Sequence, residues 1–375
     1  MILILSLGLL ILLHGASSTS PPGQILQTHP LLLEPSCNDS RVLSMAGFAL
    51  EKINEDRKEG YIFRLNRVAD VREHHQAGSG SVYYLTLDVV DTNCHVLSKK
   101  NWKDCEIGKF FKSIYGQCKA IFYSNLPRRI LYLPAYNCTI RPVSRRELAT
   151  LCPDCPVYIT NFSDPRIFQT VSEFLEKINK ETTVGKKFHL FKVTKVLTYW
   201  VMGPSYSVEF LVTESPCNES LPDQCLQPPA DAQPVGICAG SVNRKALPKY
   251  VFGTCEFFQS QPTSAPESYS PEHQVPQKMA SSTDAPPLEG PKGSVQFLPD
   301  PSVGKIEDDK EKKPNVTFPA HVSLTTEPLG EVLHLPSHFL LEKEELPIVL
   351  PFPEGSRSNE CPGPAEHPNS LILPP

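Results

Sequence analysis

The five letters L-E-K-I-N at Leu50 to Asn54 recur unchanged at Leu175 to Asn179. Around the first copy, Val42, Ala46, Ala49, Leu50 and Ile53 fall on one face of a helix. Around the second, Ile167, Val171, Phe174, Leu175 and Ile178 do the same. Asp164-Pro165 marks the start of that second helix: a carboxylate that can cap, then a proline where no N–H is needed. After each helix the period changes to two. Tyr83, Leu85, Leu87 and Val89 alternate with Tyr84, Thr86 and Asp88, the pattern of a half-buried antiparallel strand. Registered on Cys94 and Cys217, this strand aligns with Tyr206, Val208, Phe210 and Val212. A second cysteine follows, Cys105 or Cys225, then a 12-residue gap to Cys118 or Cys238, then Cys138 or Cys255. A repeat this long is a duplicated domain, not a solenoid unit. Further strand-like runs lie at 61–71, 117–124, 129–139, 188–198 and 250–258. One striped helix followed by four strands argues an α+β class, with a helix laid across an antiparallel sheet in each copy.

Outside the repeats the chain changes character. Ile2 to Leu13 is apolar and is followed by Gly15, Ala16, Ser17 and Ser18. Residues 1–18 are therefore expected to be a signal peptide, with cleavage near 15–20. The run is too short for a bilayer, and no later one approaches the ~20 apolar residues a span needs. Twelve cysteines, an even number, fit paired disulfides in an oxidising compartment. Five N-x-S/T sites, at Asn38, Asn137, Asn161, Asn218 and Asn315, agree with a secreted glycoprotein. The formal net charge of −5 makes no case for a nucleic acid or a membrane surface as partner. Residues 259–375 hold 21 of the 38 prolines and a single cysteine, Cys361. That composition offers too little apolar surface to offset the entropy of ordering, so the segment reads as a mostly unstructured Pro-rich tail tied back by Cys361. Short apolar patches such as Leu346 to Phe352 can dock as extended segments but not as helices, being broken by Pro347 and Pro351. The expected organisation is a first domain over 28–141, a linker over 142–160, a second domain over 161–258 and the tail.

Catalytic signatures are missing: there is no H-E-x-x-H, no G-x-S-x-G and no Walker loop. No catalytic residue and no cofactor are assigned, and the chain reads as a non-enzyme. His74-His75 is read as a pair of solvated loop residues ahead of a metal site. The C-x-x-C at Cys152 to Cys155 admits three readings. As half a zinc site it lacks a partner motif. As a redox centre it lacks a βαβ setting. As a small structural disulfide it fits the compartment. Such a loop is worth only about 2 kcal/mol in the chain-entropy model, so what it supplies is shape. Flanked by Pro153 and Pro156, it would hold Asp154 outward, either merely stiffening the linker or presenting a carboxylate to another protein's zinc. On the residues alone the stiffener is favoured, because short Asp loops rarely meet metals. In the second copy, Tyr199-Trp200-Val201-Met202-Gly203 reads as a hairpin tip, with Trp200 either an exposed anchor or a core residue.

One helix, a meander and two consecutive disulfides per copy resemble the cystatin fold. Two such copies joined by C-P-D-C-P (152–156), with a cysteine near the mature N-terminus and another late in a Pro-rich tail, resemble the fetuin family. C-N-D-S (37–40), A-G-F-A-L (46–50), Y-L-T-L-D-V (84–89), Y-G-Q-C-K-A-I-F (115–122), A-Y-N-C-T (135–139), G-P-S-Y (203–206) and E-C-P-G-P (360–364) carry that resemblance over essentially the whole mature chain. It implies the pairs Cys37–Cys361, Cys94–Cys105, Cys118–Cys138, Cys152–Cys155, Cys217–Cys225 and Cys238–Cys255. It also implies a monomeric inhibitor of astacin-family zinc metalloproteinases, the oocyte enzyme ovastacin in particular. That role would guard the zona pellucida from premature hardening and support fertilisation. Here Asp154 is the zinc-directed residue and Cys152, Pro153, Cys155 and Pro156 are its scaffold, so the resemblance reverses the order of readings. Trp200, Val201, Met202 and Gly203, similar to the Q-x-V-x-G hairpin of inhibitory cystatins but with Tyr199 in place of Gln, would flank the target's cleft. Two alternatives stay open: a cystatin acting on cysteine proteases, and a plasma carrier or mineral-binding protein. The last needs an acidic sheet face, and residues 83–91 supply only Asp88 and Asp91.

Overall fold

The computed structural model describes residues 32–76, 78, 80–159, 161–181, 187–200, 204–215, 232–243, 250–258, 290–300, 302, 329–336 and 346–374. The expected signal peptide lies outside these residues. Among them, no helix is long and apolar enough to cross a membrane.

The first repeat opens with helix α1 (Ser40–Asp56), capped by Asp39, whose carboxylate accepts from the Arg41 and Val42 amides. Strands β1 (Tyr61–Gln76), β2 (Gly80–His95), β3 (Ile114–Asn125) and β4 (Ile130–Pro142) follow as an antiparallel meander. A short helix α2 (Arg145–Leu151) and strand β5 (Val157–Ile159) lead to the second repeat. There helix α3 (Pro165–Glu181) precedes β6 (Phe188–Trp200), β7 (Pro204–Glu214), β8 (Gly236–Asn243) and β9 (Tyr250–Phe257). The second sheet runs β5-β6-β7-β8-β9, antiparallel throughout. Asp164 starts α3 as the dipeptide suggests: it accepts from the Arg166 amide at 2.9 Å and from the Tyr206 hydroxyl of β7. Arg166 and that hydroxyl hold its carboxyl well below the usual range.

Each helix lays its stripe on its own sheet. Val42, Ala46, Ala49, Leu50 and Ile53 are fully buried against Phe63, Leu85, Leu87 and Phe122. In the second domain Phe174 meets Phe210 edge-on at 5.9 Å. It also covers Gly240, where any Cβ would come within 2.8 Å of the ring. Each large apolar side chain so buried contributes about 1.5–3 kcal/mol. The L-E-K-I-N asparagine does the same work twice. Asn54 donates to the Phe63 carbonyl at 2.9 Å and accepts from the Phe63 amide at 2.8 Å. Asn179 repeats this with Phe188 at 3.0 and 2.8 Å. The side-chain amide thus imitates a strand neighbour and fixes where the first strand leaves the helix. Cys118–Cys138 and Cys238–Cys255 then staple directly opposed residues of neighbouring strands, β3 to β4 and β8 to β9.

The two domains meet through polar groups taken out of water. Lys195 of β6 donates to Asp91 of β2 at 3.0 Å with both side chains buried. Burial works to lower the ammonium pKa, but Asp91 and Glu209 prevail and raise it. The Lys195 ammonium also stands 4.2 Å from the centre of the Tyr61 ring. Tyr61 in turn donates to Glu209 at 2.6 Å and lies 3.1 Å from the Thr194 hydroxyl. His95, at the same junction, stacks on Phe258, and burial pulls its imidazole down to about 4.

Parts of the segment read as a tail are built into the first domain. Strand β10 (Lys292–Phe297) extends the first sheet, pairing in parallel with β4 to give the order β1-β2-β3-β4-β10. Gly293 lets it approach, since a Cβ there would fall within 2.0 Å of the Tyr136 ring. Two further strands, β11 (Glu331–Val332) and β12 (Ile348–Val349), form a small ladder of their own. Leu350 then donates its amide to the Tyr84 hydroxyl at 2.6 Å, and Phe352 packs edge-on against the Tyr84 ring. Cys361 is bonded to Cys37. Leu350 and Phe352 lie in the patch expected to dock as an extended segment, whereas β10 and the run from Gly363 to Glu366 are docked stretches that the reading of a mostly unstructured tail does not include. Their partners are carbonyls, hydroxyls and rings of the first domain, so nothing periodic within the segment announces the docking.

Two outcomes are expected. Asn54→Ala leaves the Phe63 amide and carbonyl unpaired and should lower stability by about 2–3 kcal/mol in chemical denaturation. Lys195→Met strands a buried carboxylate and should cost about 3–5 kcal/mol, most of it recovered when Asp91→Leu is added. A single substitution as mild as the double would show that the pair is not shielded from water.

Candidate functional site

The linker is gripped at both ends. After β4, Ser144 caps α2, its hydroxyl accepting from the Glu147 amide at 3.4 Å. The letters S-R-R-E at 144–147 are a capping-box signature, a local signal for this helix that apolar periodicity does not carry. Its buried contact is Leu148, and its last turn closes when the Cys152 amide donates to the Leu148 carbonyl at 2.8 Å. The Cys155 amide then donates to the Cys152 carbonyl at 3.1 Å, and the two sulfurs are bonded. Beyond Pro156 the chain enters β5, an edge strand of the second sheet, with Val157 opposite Thr198 of β6. Five residues therefore bridge a helix seated on one domain and a strand belonging to the other.

At the tip, Pro153 and Asp154 are exposed while both cysteines are half-buried. Among the described residues the Asp154 carboxylate has no hydrogen-bond or ion-pair partner. The prolines of the loop, Pro153 and Pro156, supply no N–H to it. The half-buried disulfide rests on an apolar cluster of Val90, Tyr115, Val143, Leu148, Leu371 and Ile372. What results is an unneutralised anion on a closed, supported loop, presented to solvent.

Strand pairing brings the second-domain hairpin to the same edge. Val157 opposes Thr198, two residues before Trp200, and Trp200 opposes Pro204. Tyr199 is tied down, its hydroxyl 2.9 Å from that of Ser241. A cleft of about 470 Å³ lies between the first-domain residues Asn93, Lys109 and Lys112 and Leu197 and Tyr199 of the second sheet, with Pro156 on its wall. Val201, Met202, Gly203 and the Trp200 side chain lie outside the described residues, and with them the choice between anchor and core.

The other candidates named from the sequence fall apart from this edge. His74 and His75 sit in β1, not in a loop; His74 is buried, and burial lowers its pKa, while His75 approaches the Ser81 hydroxyl at 3.1 Å. The strand simply continues further than the polar letters suggest, with Val71 to His74 all buried. Among the described residues, no group of three or more His, Cys, Asp or Glu could hold a metal. Asp88 is fully buried, accepting from Arg67 and Gln117, and Asp91 is spent on Lys195, so neither offers an acidic face to mineral. Cys94 is bonded to Cys105, and Cys217 with Cys225 lies outside the described residues. Of the sequon asparagines, Asn38 and Asn161 are exposed, while Asn218 and Asn315 lie outside the described residues. Asn137 is only 7% exposed and donates to the Ser294 hydroxyl of β10.

Comparison with known proteins agrees with this architecture. A cystatin-domain family model matches residues 31–126 and 155–246. Human fetuin-B is 48% identical over 388 aligned residues, covering all of both chains. The fold is similar to that of mouse fetuin-B in complex with crayfish astacin, with a TM-score of 0.73 and 45% identity over 92% of this chain and 98% of that one. It is similar also to mouse fetuin-B in an inhibitory complex with human meprin beta, with a TM-score of 0.71 and 44% identity over 90% and 98% of the two chains.

Opening the small ring should change shape more than stability. Cys152→Ser with Cys155→Ser is expected to cost at most about 2 kcal/mol while speeding amide hydrogen exchange across 152–157. Unchanged exchange there would mean the linker's grips, not the disulfide, define the loop.

Proposed function

The chain belongs to the fetuin family, on its fetuin-B branch, with two cystatin domains, and from that premise we propose that it is a secreted inhibitor of astacin-family zinc metalloproteinases. The observation that carries the reading is Asp154: a solvent-facing carboxylate with no partner among the described residues, on a disulfide-closed loop held by both domains. A protease of this class cleaves by activating a zinc-bound water. A carboxylate reaching the metal at about 2.0–2.2 Å takes that water's place. Because the loop is already shaped, little ordering entropy is lost on binding. Pro156 makes the bond after Cys155 a tertiary amide, a poor substrate for the enzyme it approaches. Trp200, Val201, Met202 and Gly203, between β6 and β7, would extend the contact along the target's cleft.

Secretion is supported by the absence of free cysteines among the described residues, a pattern of oxidising compartments. The finer assignment is an ovastacin-like oocyte enzyme as target, with protection of the zona pellucida from premature hardening and support of fertilisation as the consequence.

Titration of purified astacin with the wild type, Asp154→Asn and Asp154→Ala tests the mechanism. Both variants should lose at least about 100-fold in inhibition constant, equivalent to ~2.7 kcal/mol, with melting temperature unchanged. Equal potency would remove Asp154 from the zinc. Papain, titrated in parallel, should not be tightly inhibited.

A further inference from the structure

We propose that the C-terminal segment is a working part of the inhibitory element, with Leu371 and Ile372 as positioning residues that hold the Cys152–Cys155 loop in place. The proposal rests on the reading of Asp154 as the zinc-directed group.

The segment is led to the loop by a series of fixed contacts. Cys361 is bonded to Cys37. The Gly363 amide donates to the Val68 carbonyl at 2.9 Å, bringing the chain alongside β1. Asn66 then grips two residues at once. Its carbonyl accepts from the Glu366 amide at 2.7 Å, and its side chain accepts from the His367 amide at 2.8 Å and donates to the His367 carbonyl at 3.3 Å. Arg64 pairs with Glu366 while also donating to the Lys103 and Cys105 carbonyls at 3.1 and 3.3 Å. A turn at Asn369 ends the run: its side-chain oxygen accepts from the Leu371 amide at 2.9 Å and its carbonyl from the Ile372 amide at 3.0 Å.

That turn delivers Leu371 and Ile372, 6% and 3% exposed, into the cluster on which Cys152 and Cys155 rest. The cluster also holds Leu148, the buried residue of α2. A seven-residue helix is too short to persist on its own propensity, so its attitude comes from what Leu148 packs against. Val90, Tyr115 and Val143, with Ile107, Phe110 and Phe111 packed against them, supply the first-domain side of that cluster, and Leu371 and Ile372 the C-terminal side. The Leu148 carbonyl in turn receives the Cys152 amide, the first bond of the loop. Displacement of two C-terminal side chains is thereby transmitted through one leucine to the base of the Asp154 loop.

The test uses the full chain with Leu371→Ala and Ile372→Ala together, and Leu371→Met with Ile372→Val as the volume-conserving rescue. Hydrogen exchange over 145–157, inhibition of purified astacin and melting temperature are measured on each. The alanine pair should speed exchange across 148–157 and raise the inhibition constant about 10-fold, leaving exchange in β1 to β3 unchanged, and the rescue pair should restore both. In an Asp154→Ala background the alanine pair should add no further loss, because it acts through that residue. Unchanged exchange at 148–157, or an equal loss with and without Asp154, would overturn the proposal. Should the alanine pair lower the overall melting temperature, Leu371→Ala alone carries the same comparison. If Asp154→Ala by itself leaves inhibition intact, the zinc reading fails separately, and the exchange measurement still decides whether these two residues hold the loop.

Discussion

Lys195 and Asp91 face each other at 3.0 Å with water excluded from both, and neither charge could stay ionised in that position alone. A pair of this kind adds little net stability over apolar residues of the same volume. What it excludes is any docking of the two domains that would strand one charge. Tyr61, held between Lys195, Glu209 and Thr194, narrows the choice further. Once the docking angle is set, so are the two ends of the linker, because α2 is packed on the first domain and β5 is paired in the second sheet. The direction of Asp154 is therefore a consequence of charges buried in the domain junction.

Within that arrangement the duplicated domains have divided their labour. Both keep the helix-end asparagine that captures the first strand, and both keep the staple between their last two meander strands. These are the features that make the fold, and they are the ones that recur in both copies. The hairpins after the first strand differ in composition, and the Cys152–Cys155 loop lies in neither copy. Outside both, the last residues return to the first domain through Cys361 and close the cluster beneath the loop. A five-residue element is thus supported by parts drawn from both domains and from the C-terminal segment.

Much of this can be read from the letters, and the reasons are local. Helix faces and strand faces follow from periodicity, so α1, α3, β2 and β7 are legible. Asp164 is recognisable as a cap because its role involves only the next few residues. The buried His74 reads wrongly as a loop residue because a strand edge and a polar loop share letters; only the pairing of β1 with β2 distinguishes them. Asp88 and Asp91 look like scattered acids because burial and partner are properties of the folded chain. The docking of Gly363 and Glu366 in the Pro-rich segment escapes sequence reading for a related reason: they take their partners from Val68 and Asn66, hundreds of residues away.

The sequence by itself determined the duplication, the α+β class of each copy and the presence of an outward aspartate between two cysteines and two prolines. Each of these depends on side-chain character and spacing along a few turns or strand pairs. Only the tertiary structure decided that the linker and the second-domain hairpin share an edge, since that follows from Val157 lying opposite Thr198. Only it brought Lys195 to Asp91, and Leu371 and Ile372 under the loop. Those are contacts between segments whose sequence separation carries no periodic signal, selected by which burial leaves no charge or apolar face unmatched.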